Sequence, residues 1–158
     1  MKSICFIFLL LPALLAKSQS IELRAGHSLI PGDYVALRYQ QPTNYSFEFS
    51  ISAFLDKSKT HGLNYSASGA EALIEFPFSL FKIAAGPAIQ YESEPWVYQY
   101  KSFSQRLNYG LATEGSAELF LTDAFALTAF INQKYLFNKG LGQFHFVFGV
   151  GLKYSFGN

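Results

Sequence analysis

The chain has 158 residues, of which 50% are hydrophobic, 18% aromatic and only 15% charged, against the roughly 25% charged residues of soluble domains. Its formal net charge of +1 excludes the basic excess of a nucleic-acid binder and the acidic excess of a solvating tail, so no direct nucleic-acid contact is expected. So apolar and aromatic a composition also argues against an ordinary cytosolic domain.

Residues 1–18 read as a signal peptide. Lys2 gives a positive start, Ile4 to Leu15 form a short apolar stretch, and Ala16-Lys17-Ser18 offers small residues at the positions a signal peptidase inspects. The apolar stretch falls short of the roughly 20 residues that a membrane-spanning helix needs. Cleavage is expected after Ser18, leaving residues 19–158 as one domain. Cys5 is the only cysteine and lies in the leader, preceded by Lys-Ser-Ile, so neither a lipoprotein anchor nor a disulfide is expected.

Beyond residue 20 the dominant pattern has period two, which only an extended strand sorts onto two faces. Eight strands are predicted in chain order. Ile21 to Gly26 and Tyr34 to Gln40 come first, the second carrying Arg38 and ending near Pro42. The third places Tyr45, Phe47, Phe49, Ile51, Ala53 and Leu55 on one face, with Ser46, Glu48, Ser50 and Ser52 between them. Leu63 to Phe76 is the fourth. Its apolar phase changes between Ala67 and Ala70, which implies either a bulge near Gly69 or an upper half outside the membrane. Phe81 to Glu92 is the fifth, and Tyr109 to Leu121 the sixth, with Glu114 and Glu118 on its polar face. Phe125 to Phe137 is the seventh.

The last strand is the clearest. Phe144, Phe146, Phe148, Val150, Leu152, Tyr154 and Phe156 occupy every even position over thirteen residues. That exceeds a globular strand's usual 5 to 6 residues and covers the roughly 9 to 11 that a tilted membrane strand requires. Its terminal aromatics resemble the C-terminal signal read by the barrel-assembly machinery, although Gly157 and Asn158 follow.

The expected fold is therefore all-β, an eight-stranded antiparallel up-and-down transmembrane β-barrel. Short turns at Gln41 to Asn44, Pro77 to Leu80 and Thr122 to Ala124 alternate with longer loops, which places both termini in the periplasm of an outer-membrane protein. Alternation alone does not say which face points inward, and a lipocalin-like soluble barrel has the same period. The polar phase gathers Glu22, Arg24, Arg38, Glu48, Glu71, Glu75, Lys82, Glu114, Glu118, Lys134 and Lys153. Charges of mixed sign can pair inside a narrow barrel, with Gly110, Gly149 and Gly151 making room, whereas seven large side chains from one strand would crowd it. A lumen filled by ion pairs and an outer face of Phe, Leu and Tyr is the expected arrangement. Aromatics at strand ends such as Tyr45, Tyr91, Tyr109, Phe144, Tyr154 and Phe156 would form the two interfacial girdles.

Chemistry is sparse. Of the three histidines, none shares metal-ligand spacing with another, so neither metal nor cofactor is expected. His61 with Asp56 and Ser58, or His27 with Asp33 and Ser28, could be drawn as triads, but such pairs arise by chance in polar loops. Glu114 and Glu118 lie about 13 Å apart along a strand, too far for paired-carboxylate hydrolysis. No catalytic residue is assigned. The loop Ser93 to Leu107 carries Trp96, Tyr98, Tyr100 and Phe103 beside charges and is a candidate contact loop.

Three segments together resemble the TraO-type conjugal transfer proteins of Bacteroidetes conjugative elements. They are Ile21-Glu22-Leu23-Arg24-Ala25-Gly26, Phe120-Leu121-Thr122-Asp123, and Gly142-Gln143-Phe144-His145-Phe146 running on to Gly149-Val150-Gly151-Leu152-Lys153. The resemblance, strongest from Tyr109 to Lys153, implies a non-enzymatic outer-membrane component of a conjugation apparatus with other conjugation proteins as partners, while lipid and the assembly machinery are the partners expected from the barrel's outer face and its last strand. A barrel serving adhesion or envelope stability, or a small lipid-modifying enzyme, are the alternatives.

Overall fold

The computed structural model describes residues 19–29, 32–43, 45–60, 63–93, 105–137 and 143–156. Residues 1–18, read above as a signal peptide, His61 and the candidate contact residues Trp96, Tyr98, Tyr100 and Phe103 lie outside them. Eight strands run in order: β1 (Gln19–Ser28), β2 (Gly32–Pro42), β3 (Glu48–Thr60), β4 (Leu63–Phe78), β5 (Phe81–Ser93), β6 (Gln105–Phe120), β7 (Phe125–Leu136) and β8 (Phe144–Phe156). Each pairs antiparallel with its neighbour, and β8 returns to β1, closing the barrel.

Closure fixes the stagger. A path across the ladder from Ser28 runs through Val147, Asn132, Glu114, Ala84, Glu75, Glu48 and Pro42. Pro42 lies two residues beyond Gln40, the partner of Ser20, so the path meets β1 ten residues from where it left it. Such a stagger makes the strands tilt steeply around an interior wide enough for side chains.

The two faces sort as physics demands. Along β7 every second residue is buried, and the alternation extends through β1, β2, β5 and β8. Ile131, Phe148, Val150, Leu152 and Tyr154 are exposed on the outside, whereas Arg24, Arg38, Glu114 and Lys134 are buried within. A water-soluble barrel would have the opposite polarity. Rings gather at both ends of the outer surface. Tyr109 meets Phe137 and Tyr135 meets Phe144 at the long-loop end, while Phe125 packs on Tyr154 at the short-turn end. Tyr135 and Phe125 lie ten residues apart on β7, a height of roughly 25 Å on a tilted strand, matching a membrane barrel's apolar band.

Three local expectations change. No bulge interrupts β4 at Gly69, because its register with β3 is unbroken from Thr60↔Leu63 to Glu48↔Glu75. Ala67 and Leu73 are instead inward residues that happen to be apolar. Tyr45 and Phe47 belong to a turn ahead of β3: the Thr43 hydroxyl accepts from the Tyr45 amide at 3.1 Å and donates to the Phe47 carbonyl at 2.5 Å, and the two rings stack at 5.7 Å. Finally, β6 begins at Gln105, inside the stretch read as loop, because its pairing with β5 continues to Ser93↔Gln105.

Candidate functional site: the charged lumen

The inward phase brings residues from all eight strands onto one axis. Nearest the short turns, Lys82 bridges β5 to its surroundings, with Nζ 2.5 Å from Glu48 and 2.9 Å from Glu118. Lys153 reaches the same Glu118 oxygen at 2.9 Å. Gln40 donates to Glu75 at 2.9 Å and accepts from Ser20 at 3.1 Å, which ties β1, β2 and β4 at that level.

The middle layer centres on Glu114. Arg38 approaches it with both terminal nitrogens, at 2.7 Å and 2.6 Å, and Arg24 adds a third contact at 2.8 Å. Arg38 also reaches Glu75 at 3.0 Å, Arg24 reaches Glu22 at 2.9 Å, and Thr128 donates to Glu22. Planar guanidinium groups suit this role because each can serve two carboxylates in fixed directions. Gly151 makes the arrangement possible. A Cβ there would overlap the Glu22 carboxylate and the Thr128 hydroxyl. At the β1–β8 closure Gly149 faces Gly26, and a Cβ on either would strike the other strand's backbone.

Above this lies an aromatic layer that alternation had not singled out. Tyr34 stacks on Phe54 at 5.8 Å and leans on Phe130 at 6.0 Å, with Val147 completing the cluster. Cations cover the rings: Lys134 Nζ lies 3.5 Å from the Phe54 centroid and the Arg24 guanidinium 4.4 Å from that of Phe130. Lys134 is also held by Glu71 at 2.9 Å, and Asn132 links Glu71 to Glu114 at 2.9 Å and 3.1 Å. The signal for this cluster was present, since Phe54 and Phe130 share the phase of Ser52 and Lys134. Their apolar character concealed it.

Toward the long-loop end Gln90 donates to Glu92 at 2.9 Å, His145 lies 3.9 Å from the same carboxylate, and Ser28 donates to Asp56 at 3.2 Å. This last contact separates the residues of one imagined triad. Ser28 and Asp56 face inward, whereas His27 lies on the outer surface, 3.9 Å from Asp33. Asp56, drawn beside His61, likewise points into the lumen. Every charged residue expected in the lumen is there: Glu22, Arg24, Arg38, Glu48, Glu71, Glu75, Lys82, Glu114, Glu118, Lys134 and Lys153. Glu114 and Glu118 serve different cations, arginines for one and lysines for the other. No cluster of metal-ligating side chains occurs among the described residues.

Such a lumen is a scaffold of mutual restraint. Each buried charge costs several kcal/mol to desolvate, and paired opposite charges with shared hydrogen bonds offset that cost. With ion pairs and rings linking opposing walls, the interior is a packed core.

The fold recurs in solved outer-membrane proteins. The N-terminal β-barrel domain of Pseudomonas aeruginosa OprF is similar at a TM-score of 0.66 and 14% identity, over 89% of this chain and 98% of that one. Yersinia pestis Ail, the attachment invasion locus protein, solved with the heparin analogue sucrose octasulfate, gives 0.64 and 11%, over 89% and 99%. Neisserial surface protein A gives 0.61 and 15%, over 88% and 95%. At these identities the likeness is one of fold. No curated protein matches the chain. Residues 81–156, from β5 through β8, match the family described as conjugative transposon protein TraO. That match, over a little under half of the chain, agrees with the resemblance carried by Tyr109 to Lys153 and supports a relationship to the TraO family.

Proposed function

We propose that the protein is a non-enzymatic outer-membrane component of a conjugative DNA-transfer apparatus, anchored by its barrel with both termini in the periplasm. The observation that carries the reading is the TraO match over β5 to β8, which supplies the conjugative context. The apolar outer face supports a lipid-embedded seat, and the ion-paired lumen favours a structural part over a conduit for DNA. Separation of His27 from Ser28 on opposite faces favours the non-enzymatic reading. Outer-membrane lipid, the barrel-assembly machinery and other conjugation proteins are the partners this role requires.

The test is deletion of the gene from its mobile element, with transfer frequency measured beside a complemented strain. Loss of transfer restored by complementation is expected. Unchanged transfer would sink the conjugative role. Fractionation with heat-modifiable gel mobility tests the seat separately, since a soluble periplasmic protein with no mobility shift would refute it.

A further inference from the structure

The apolar outer face is not equally tall around the barrel. On β8 it runs from Phe144 to Tyr154, a height of about 24 Å at roughly 2.4 Å per residue on a strand tilted near 45°. On the adjoining β1 it runs only from Ile21 to Ala25, and on β2 from Val35 to Tyr39, each about 10 Å by the same measure.

The change is abrupt because the register sets unlike residues side by side. His27 pairs across the closure with Phe148, beyond which β8 presents two more outward phenylalanines, Phe146 and Phe144. Beyond His27, β1 offers only Leu29 in its turn. On the other side His27 pairs with Asp33 and Asp33 with Lys57, so one row across β1, β2 and β3 carries three polar or charged side chains facing outward. Asp33 is 94% and His27 53% exposed at the side chain, and their 3.9 Å contact leaves most of both groups open. At the other end Gln41 follows Tyr39 on the outward face of β2.

A bilayer of even thickness, fitted to β8, would submerge His27 and Asp33. Charged groups on a barrel's lipid face are tolerated near the interface and costly deeper in. A bilayer meets a shortened apolar surface by thinning beside it. From this mismatch, and resting on the membrane-spanning reading above, we infer that the β1–β2 flank thins the surrounding lipid and brings the headgroup boundary down to the His27–Asp33 row.

Residues 19–158 carry no cysteine, so single-cysteine nitroxide labels placed among them report position cleanly. The protein, folded into vesicles of phosphatidylcholine with sixteen-carbon and eighteen-carbon chains, would be labelled at 27, 33, 146, 135, 127, 150 or 35. Labels at 127 and 150 should be shielded from a water-soluble nickel reagent and open to oxygen, and nickel access at either would overturn the membrane-spanning reading itself. With those two shielded, the inference expects several-fold greater nickel access at 27 and 33 than at 146 and 135. Equal shielding at all four overturns it. A label at 35 closed to both reagents would point to a second copy covering the flank and would also overturn it. Replacing the row with His27→Leu and Asp33→Leu should shift a label at 35 deeper into the bilayer, and no shift counts against the inference.

Discussion

Arg38 and Glu114 meet end to end, Nη1 to Oε1 at 2.7 Å and Nη2 to Oε2 at 2.6 Å, across a lumen in which β2 and β6 are not neighbours. The pair, with Arg24, braces opposite walls. Glu114→Gln removes the charge both guanidinium groups share while keeping its volume. It should destabilise the folded barrel by about 3 kcal/mol, the lower end of the cost of breaking a buried ion pair, because Arg38 keeps Glu75 and Arg24 keeps Glu22. Urea titration in lipid vesicles reads the effect. Replacing both partners, Arg38→Met with Glu114→Leu, should cost less than the sum of Arg38→Met and Glu114→Leu made singly, and an additive loss would mean that the pair is not the unit of stability.

Phe148 and Leu152 face outward on β8. Substituting Arg at either should cost about 2 to 4 kcal/mol toward mid-bilayer and slow insertion. The measurement is the folded fraction by heat-modifiable mobility after dilution into vesicles. Normal assembly of both variants would require the faces to be reversed.

Two glycines on opposite faces of the barrel wall should respond differently. Gly151→Val drives a side chain into Glu22 and Thr128 and should cost about 1 to 3 kcal/mol as overpacking. Gly115 has open space where its Cβ would stand, so Gly115→Ala should change stability by no more than about 0.5 kcal/mol. Parallel unfolding curves for the two variants compare them directly.

Lys134 lies over the Phe54 ring as well as against Glu71. Phe54→Leu keeps most of the apolar volume and removes the ring's negative face, which should cost about 1 to 2 kcal/mol in this desolvated setting. A double-mutant cycle with Lys134→Met isolates that share, and a coupling near zero would show the ring acting only as filler.

Much of this was legible because a barrel wall has a single rule, strict alternation, and charges reveal which phase faces inward. Arg38, Glu114 and Lys153 announce their side whatever the loops do. Phe54, Phe130 and Leu73 do not: an apolar side chain is admissible on either face, and only the pairing of whole strands decides. The same blindness produced the expected break in β4, where Ala67 and Leu73 imitate a change of phase in an uninterrupted ladder. Tyr45 and Phe47 continue the alternation of β3 into a turn because stacked rings and a threonine hydroxyl fold there without disturbing the pattern. Which carboxylate takes which cation lay beyond reading, since it depends on the ten-residue stagger that closes the ring.

The join between the first strand and the last has a kinetic meaning. Gln19 pairs with Phe156, so the residues that complete the wall come from opposite ends of the chain. Until β8 is in place, β1 and β7 each present a bare edge of unmatched amide and carbonyl groups, the surface on which chains stick to one another. Pairing across so long a separation is slow to find. An interrupted chain lacking its final strand should therefore give aggregates instead of a smaller barrel, which leaves the molecule committed to forming whole or not at all.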